Sequence, residues 1–135
     1  MALMTWDQNF SVGVQTLDNQ HTVLFDILNE LHAAMMKGQA QSLTGPLLKN
    51  LAHYTRNHFA AEEAMMAASK YPGLTDHKVK HCELVKQVED YVTRFEKGEI
   101  TLNLYLLNFL RDWLTNHIQK VDKEYSPWLN ARGLH

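Results

Sequence analysis

The segment TDHKVKHCELVKQVEDYVTRFEKG, residues 75–98, decides the fold. His77, His81, Leu84, Val88, Val92 (or Tyr91) and Phe95 recur at helical spacing, Thr75 can cap the start, and Gly98 supplies a stop. Working outward, the same pattern appears three more times. Asp18 can cap a helix running to about Lys37, with Leu24, Leu28, Leu31 and Met35 on its apolar face and His21 three residues ahead of them. A second helix starts near Ser42 or Thr44, tolerates Pro46 in its first turn, and carries Leu47, Leu51, Tyr54, His58, Glu62 and Met65. Pro72-Gly73 breaks the chain before the quoted segment, and Thr101 can cap a fourth helix through Leu106, Leu110, Trp113 and His117. Residues 1–17 lack helical period and read as an ordered arm, while Ser126-Pro127 marks a tail. Period-2 alternation and β-branched runs are missing. Short connections make successive helices antiparallel, so the sequence predicts an all-α, up-down-up-down four-helix bundle with an N-terminal arm, one domain spanning residues 1–135.

Composition narrows the function. The chain has 135 residues, 45% of them hydrophobic, enough for one proper core. A formal charge of −2 with scattered Lys and Arg gives no electrostatic case for nucleic acid or an anionic membrane. No apolar run approaches the length of a membrane span, and the N-terminus lacks the pattern of a secretory signal. The single cysteine, Cys82, excludes an intrachain disulfide and suits a reducing compartment. A soluble cytoplasmic location is the expectation, and helix faces rich in Lys, Glu, Gln and Asn favour a monomer.

Chemistry enters through the histidines. His21, His58 with Glu62, His77 with His81, and His117 with Asp122 fall on four helices at metal-ligand spacings. His58/Glu62 and His77/His81 are four residues apart, which stacks each pair on one helix face. A single histidine on an apolar face is more often a hydrogen-bonded core residue. That explanation fails for the set, because all four stripes carry histidine and antiparallel packing brings all seven residues toward one end. Buried carboxylates among imidazoles are accommodated together by a multivalent cation, and nitrogen with oxygen donors suits iron, copper, nickel or zinc. The five residues from His117 to Asp122 are awkward, since a regular helix turns them ~140° apart. Either the helix widens locally, as in a π-bulge, or it ends near Val121; Glu124 and Asp112 compete with Asp122 on spacing alone. His32, His53 and His135 look ordinary. Glu63 points ~100° away from Glu62 and reads as exposed or as a neighbour of a ligand, and Cys82 reads as a small packed residue.

The order His21, His58-Phe59-x-x-Glu62-Glu63, His77-x-x-x-His81, His117-Ile118-x-x-x-Asp122 resembles the hemerythrin family. Trp6, Asp18-x-Gln20-His21-x-x-Leu24 and Trp113-x-x-x-His117 are similar to its bacterial members. The resemblance covers nearly the whole chain and fills all seven ligand positions of the family, including an aspartate five residues after the last histidine. It implies two non-haem iron ions with a bridging oxo or hydroxo group. One iron would take His77, His81 and His117, the other His21 and His58, and Glu62 and Asp122 would bridge them. Two histidines against three leave one coordination position open, and in the family that position takes dioxygen reversibly. Phe59, Trp113, Leu114, Ile118 and Leu24 are the expected apolar walls of the dioxygen pocket, although each also reads as plain core packing.

Other functions compete. Ferritin-like oxidases and peroxidases use four carboxylates and two Glu-x-x-His pairs, and no Glu here has His three residues later. A zinc protease is weaker still, because His77-Lys78-x-x-His81 has lysine where the general base belongs. Family members that sense oxygen or redox state are commonly fused to signalling modules, for which 135 residues leave no room. Nitric oxide binding uses the same open position. Reversible dioxygen carriage or storage, without enzymatic turnover, is the first expectation, with an oxygen-consuming enzyme as the natural acceptor.

Overall fold

The computed structural model describes residues 3–38, 41–101 and 103–135, the side chains of 41–43 excepted. Four long helices carry the architecture: α1 (Gln15–Met36), α2 (Gln41–Ala68), α3 (Leu74–Glu96) and α4 (Leu104–Asn116). A π-helical turn (His117–Val121), a 3-10 turn (Asp122–Glu124) and a short α5 (Ser126–Ala131) follow, and no strand occurs among the described residues. Helix α2 packs against α1 and α3, and α4 against α1. The connections are short, so neighbours run antiparallel, and the bundle is the one the spacing predicts.

The boundaries differ from the sequence expectation for local reasons. Helix α1 begins at Gln15, and Asp18 lies in its first turn rather than capping it. Its carboxylate serves the arm instead, accepting hydrogen bonds from the Ser11 hydroxyl at 2.6 Å and the Val12 N–H at 2.8 Å. Helix α2 already starts at Gln41, so Pro46 stands inside it; the Ser42 side chain lies outside the described residues. Leu51, His58 and Glu62 of its expected stripe are buried, but Leu48, Thr55 and Met66 lie inside where Leu47, Tyr54 and Met65 are only half-buried. Thr75 and Thr101 do not cap. Helix α3 starts at Leu74 after Gly73, and Asn103 caps α4 by accepting the Leu106 N–H at 2.9 Å. The tail is helical because Pro127 sits in the first turn of α5, where its missing N–H costs nothing.

Helix α1 stops as expected. Gly38 adopts a φ of +63°, the left-handed conformation that a side chain disfavours, and its N–H returns to the Met35 carbonyl. The arm is ordered by packing. Phe10 meets Phe25 edge-on at 4.8 Å, Trp6 lies 5.5 Å from the same ring, and Asn29 exchanges two hydrogen bonds with the Met4 backbone. At the far end of the chain, Asn130 donates to the carbonyls of Gly13 and Leu134 and joins the C-terminus to the arm.

Asp18 therefore ties the arm to the turn of α1 that leads into His21. Replacing Asp18 with Ala should cost about 1–2 kcal/mol in urea unfolding of the metal-free protein. A loss below a few tenths of a kcal/mol would show that the aromatic contacts alone hold the arm.

Candidate metal centre

All seven residues meet at one end of the bundle core. His21, Glu62 and Asp122 have no measurable exposure, and His58, His77, His81 and His117 are at most 4% exposed. Ligand atoms of Glu62, His77, His81, His117 and Asp122 lie within 4.8 Å of one another, as do those of His21, His58 and Glu62. Asp122 faces both groups: Oδ1 is 2.9 Å from His77 Nε2 and 3.0 Å from His117 Nε2, and Oδ2 is 3.2 Å from His21 Nε2. Glu62 Oε1 stands 3.3 Å from both His58 Nε2 and His81 Nε2, and Oε2 stands 3.5 Å from His21.

The π-helical turn explains Asp122. Widening by one residue per turn brings positions five apart onto one face, so His117 and Asp122 both point inward. Of the two local geometries open on sequence, the widened helix is the one adopted. Glu124 is exposed, and Asp112 lies on the surface beside Arg111.

Several of the converging atoms have no hydrogen-bond partner despite complete burial: the Nε2 of His21, His58 and His77, Glu62 Oε1 and both oxygens of Asp122. Such atoms are expensive to leave unsatisfied. His81 shows what would satisfy them. Its Nδ1 proton is committed to Glu63, so its Nε2 presents a lone pair, 3.1 Å from His117 Nε2. Two nitrogens that close need a proton or a cation between them. Nitrogen and carboxylate donors aimed at shared points in a dry core fit one or two borderline transition-metal ions.

Electrostatics without a metal is strained in a consistent way. Burial alone would push the His21 imidazole below its ordinary 6.5, but Asp122 and Glu62 outweigh it and raise the value to about 9. Burial likewise disfavours the charged forms of the carboxylates, yet His58, His21 and His81 hold Glu62 well below its usual range, and His117, His21 and His77 do the same for Asp122. Burial lowers His117, whereas Glu62 overcomes burial and raises His81. The carboxylates stay ionised and the imidazoles share what protons there are.

Around the cluster stands a shell that spacing only partly revealed. Glu63 Oε2 accepts from His81 Nδ1 at 2.8 Å, and Gln20 Oε1 accepts from His58 Nδ1 at 2.6 Å. Tyr125, wholly buried, donates its hydroxyl to Glu62 Oε2 at 2.6 Å and lies flat beside His77 at 5.7 Å. Gln20 could have been suspected as the neighbour of His21; nothing in the spacing pointed to Tyr125, which reaches Glu62 across 63 positions of sequence. Phe59 stacks on His81 at 3.7 Å with rings 2° apart, and Trp113 stacks on His117 at 4.4 Å. Leu24, Phe59, Trp113 and Leu114 line an apolar cavity of about 20 Å³, room for one water-sized molecule. Ile118 is buried but does not line it. Cys82 is exposed, contrary to expectation, because it lies one position past the inward-facing His81. His53 is exposed beside Asn57, and His32 is half-buried away from the cluster.

A four-helix bundle that closes five imidazoles and two carboxylates into one buried cluster is a metal-binding bundle of the histidine-rich, di-metal kind. The chain belongs to the hemerythrin family: residues 12–129 match the family model described as the hemerythrin HHE cation binding domain. It is 40% identical to a bacteriohemerythrin of Methylococcus capsulatus, over 97% of this chain and all of that one. It is 30% identical to a myohemerythrin of Riftia pachyptila, over 89% of this chain and 88% of that one. A crystal structure of wild-type hemerythrin superposes with a TM-score of 0.91 at 40% identity, covering 95% of this chain and 98% of the other. The family binds a non-haem di-iron centre, and the buried cluster here is suited to iron ligation.

Protonated His21 is stabilised in the folded state, so its contribution is complete below about 6.5 and is lost as the pH rises through about 9. Chelator-treated protein should lose on the order of 3 kcal/mol between pH 6.5 and 9.5. The lowered carboxylates act on the other side: their contribution is present above their unfolded values near 4 and disappears as the pH falls below them. Thermal unfolding of metal-free protein across pH 3–10 should therefore give a maximum on the mildly acidic side, between about pH 5 and 6.5. A curve flat to pH 10 would contradict the proton held at His21.

Proposed function

We propose that this chain binds dioxygen reversibly at a non-haem di-iron centre, as a carrier or store of oxygen. The observation that carries the proposal is the set of seven buried donors, several of them unpartnered, aimed at two shared points in a dry core. His77, His81 and His117 would hold one iron, His21 and His58 the other, with Glu62 and Asp122 between them. The two-faced position of Asp122 supports that division, with one oxygen toward His77 and His117 and the other toward His21. When bound, the iron pair supplies the electrons and the open coordination position that dioxygen needs.

The protein's own residues do the rest. Glu63 and Gln20 hold the imidazoles of His81 and His58 with their Nδ1 protons turned outward, which leaves Nε2 free to ligate. Phe59 and Trp113 fix two of the rings by stacking and keep water from their faces. Leu24, Phe59, Trp113 and Leu114 would form the dioxygen pocket, whose lining is almost wholly apolar, Thr55 being its one hydroxyl, and holds no acidic group to divert a reversible ligand. Ile118 would support that wall from behind. With only two carboxylates, the site is poorer in anionic ligands than the oxidases of the ferritin-like class, and we read it as a carrier rather than an enzyme. No described helix is long and apolar enough to cross a membrane. The reading extends to one domain over residues 1–135 acting as a monomer in the cytoplasm, and to an oxygen-consuming enzyme as the acceptor.

Anaerobically loaded protein should take up two iron ions and change its visible spectrum on admitting oxygen, and argon should reverse the change through repeated cycles. His117→Ala should lower the bound iron by at least half, as metal analysis will read, and Glu62→Gln should loosen both ions. Full iron content and unchanged oxygen cycling in both variants would refute the assignment of the ligands. Rapid consumption of added peroxide or ascorbate would favour an enzyme.

A further inference from the structure

Three of the seven converging side chains are hydrogen-bonded to a residue outside the cluster, two as donors and one as acceptor, and the three partners are chemically unequal. His81 donates to Glu63, a carboxylate whose side chain is 25% exposed at the surface. His58 donates to Gln20, a neutral amide. Tyr125 donates to Glu62 Oε2, the oxygen that faces His21. An imidazole whose N–H is held by a carboxylate becomes a stronger donor at its other nitrogen, and a neutral carbonyl does this less. A carboxylate oxygen that accepts a short hydrogen bond becomes a weaker donor. All three effects have one sign. Electron density is pushed toward the group of His77, His81 and His117 and drawn from the group of His21 and His58.

We propose that Glu63, Gln20 and Tyr125 are positioning residues that make the two metal positions electronically unequal, so that an iron held by His77, His81 and His117 is oxidised more readily than one held by His21 and His58. The proposal rests on the di-iron reading above. It adds a difference that ligand count alone does not contain: the fuller position is backed by a negative charge, and the open one by neutral groups. Glu63→Gln keeps a carbonyl oxygen for His81 Nδ1 and removes only the charge. Gln20→Glu adds the charge behind His58. A purely structural role for these residues predicts no opposite response to the two changes.

The test is an optical redox titration of iron-loaded wild type, Glu63→Gln, Gln20→Glu and Tyr125→Phe, with iron content measured on each sample. In Glu63→Gln the ferric-to-ferrous ratio of the more easily oxidised ion should fall about tenfold at fixed potential, a midpoint rise of about 59 mV for one electron. Gln20→Glu and Tyr125→Phe should move the other ion the opposite way, toward easier oxidation. Fully loaded variants whose midpoints stay put, or move in the same direction for both charge changes, overturn the proposal while leaving the di-iron reading intact. Should a variant not load, nitrogen-resolved NMR of metal-free wild type decides. The Nδ1 proton of His81 should resonate further downfield than that of His58, and equal positions would overturn the inequality. Wild type that takes up no iron pair defeats the functional reading itself.

Discussion

Everything in this molecule is arranged around the burial of two ionised carboxylates. Glu62 and Asp122 have no exposure, and removing them from water carries a cost of several kcal/mol each. The five imidazoles packed against them, and the Tyr125 hydroxyl on Glu62, offset it. The bundle meets the constraint by taking donors from every long helix or its extension, so no single helix supplies more than two of the seven. The remaining length of each helix is ordinary apolar core, from Leu28 and Leu31 on α1 to Leu107 and Leu110 on α4. The bundle's stability and its chemistry are thereby separated along its axis. One end packs, and the other gathers the buried donors.

The C-terminal segment holds the second carboxylate in place. The π-helical turn delivers Asp122, the 3-10 turn after it delivers Tyr125 to Glu62, and α5 is anchored by Trp128, whose indole N–H reaches the Ser69 carbonyl at 3.0 Å. Arg132 lies over the Trp128 ring at 3.4 Å and closes that end. Asn130 extends the connection to Gly13, two residues before α1 begins. The arm and the C-terminal helix are thus linked to each other, the one leading into the helix of His21 and the other following the turn of Asp122.

Much of this was legible in the sequence, and the failures have distinct causes. Helical periodicity gave four helices and their directions, and the histidine spacings gave convergence at one end. The boundaries differ, because Thr75, Thr101 and Asp18 are all good capping residues while local geometry uses Asn103 at α4 and no side-chain cap at α1 and α3. On helix α2, Leu51, His58 and Glu62 are buried as expected, but Leu47, Tyr54 and Met65 yield to their neighbours Leu48, Thr55 and Met66, because adjacent apolar residues do not reveal which of them faces inward. Asp122 was undecidable from spacing, for a π-helical turn leaves no compositional mark, and the family resemblance supplied what phase could not. Gln20 and Tyr125 act through tertiary contacts, across 38 and 63 positions, that no local pattern encodes.

One stacked pair has a spectroscopic consequence. Of the three tryptophans, Trp113 alone lies against a residue of the cluster, with its indole 4.4 Å from the His117 imidazole and 12° from parallel. Trp6 is in the arm and Trp128 at the C-terminal helix, each in a different aromatic environment. The chain therefore contains a fluorophore in van der Waals contact with its own centre and two reference fluorophores elsewhere. With iron held at His117, as proposed, emission from Trp113 would register its occupancy and oxidation state by quenching, an optical gauge built into the chain.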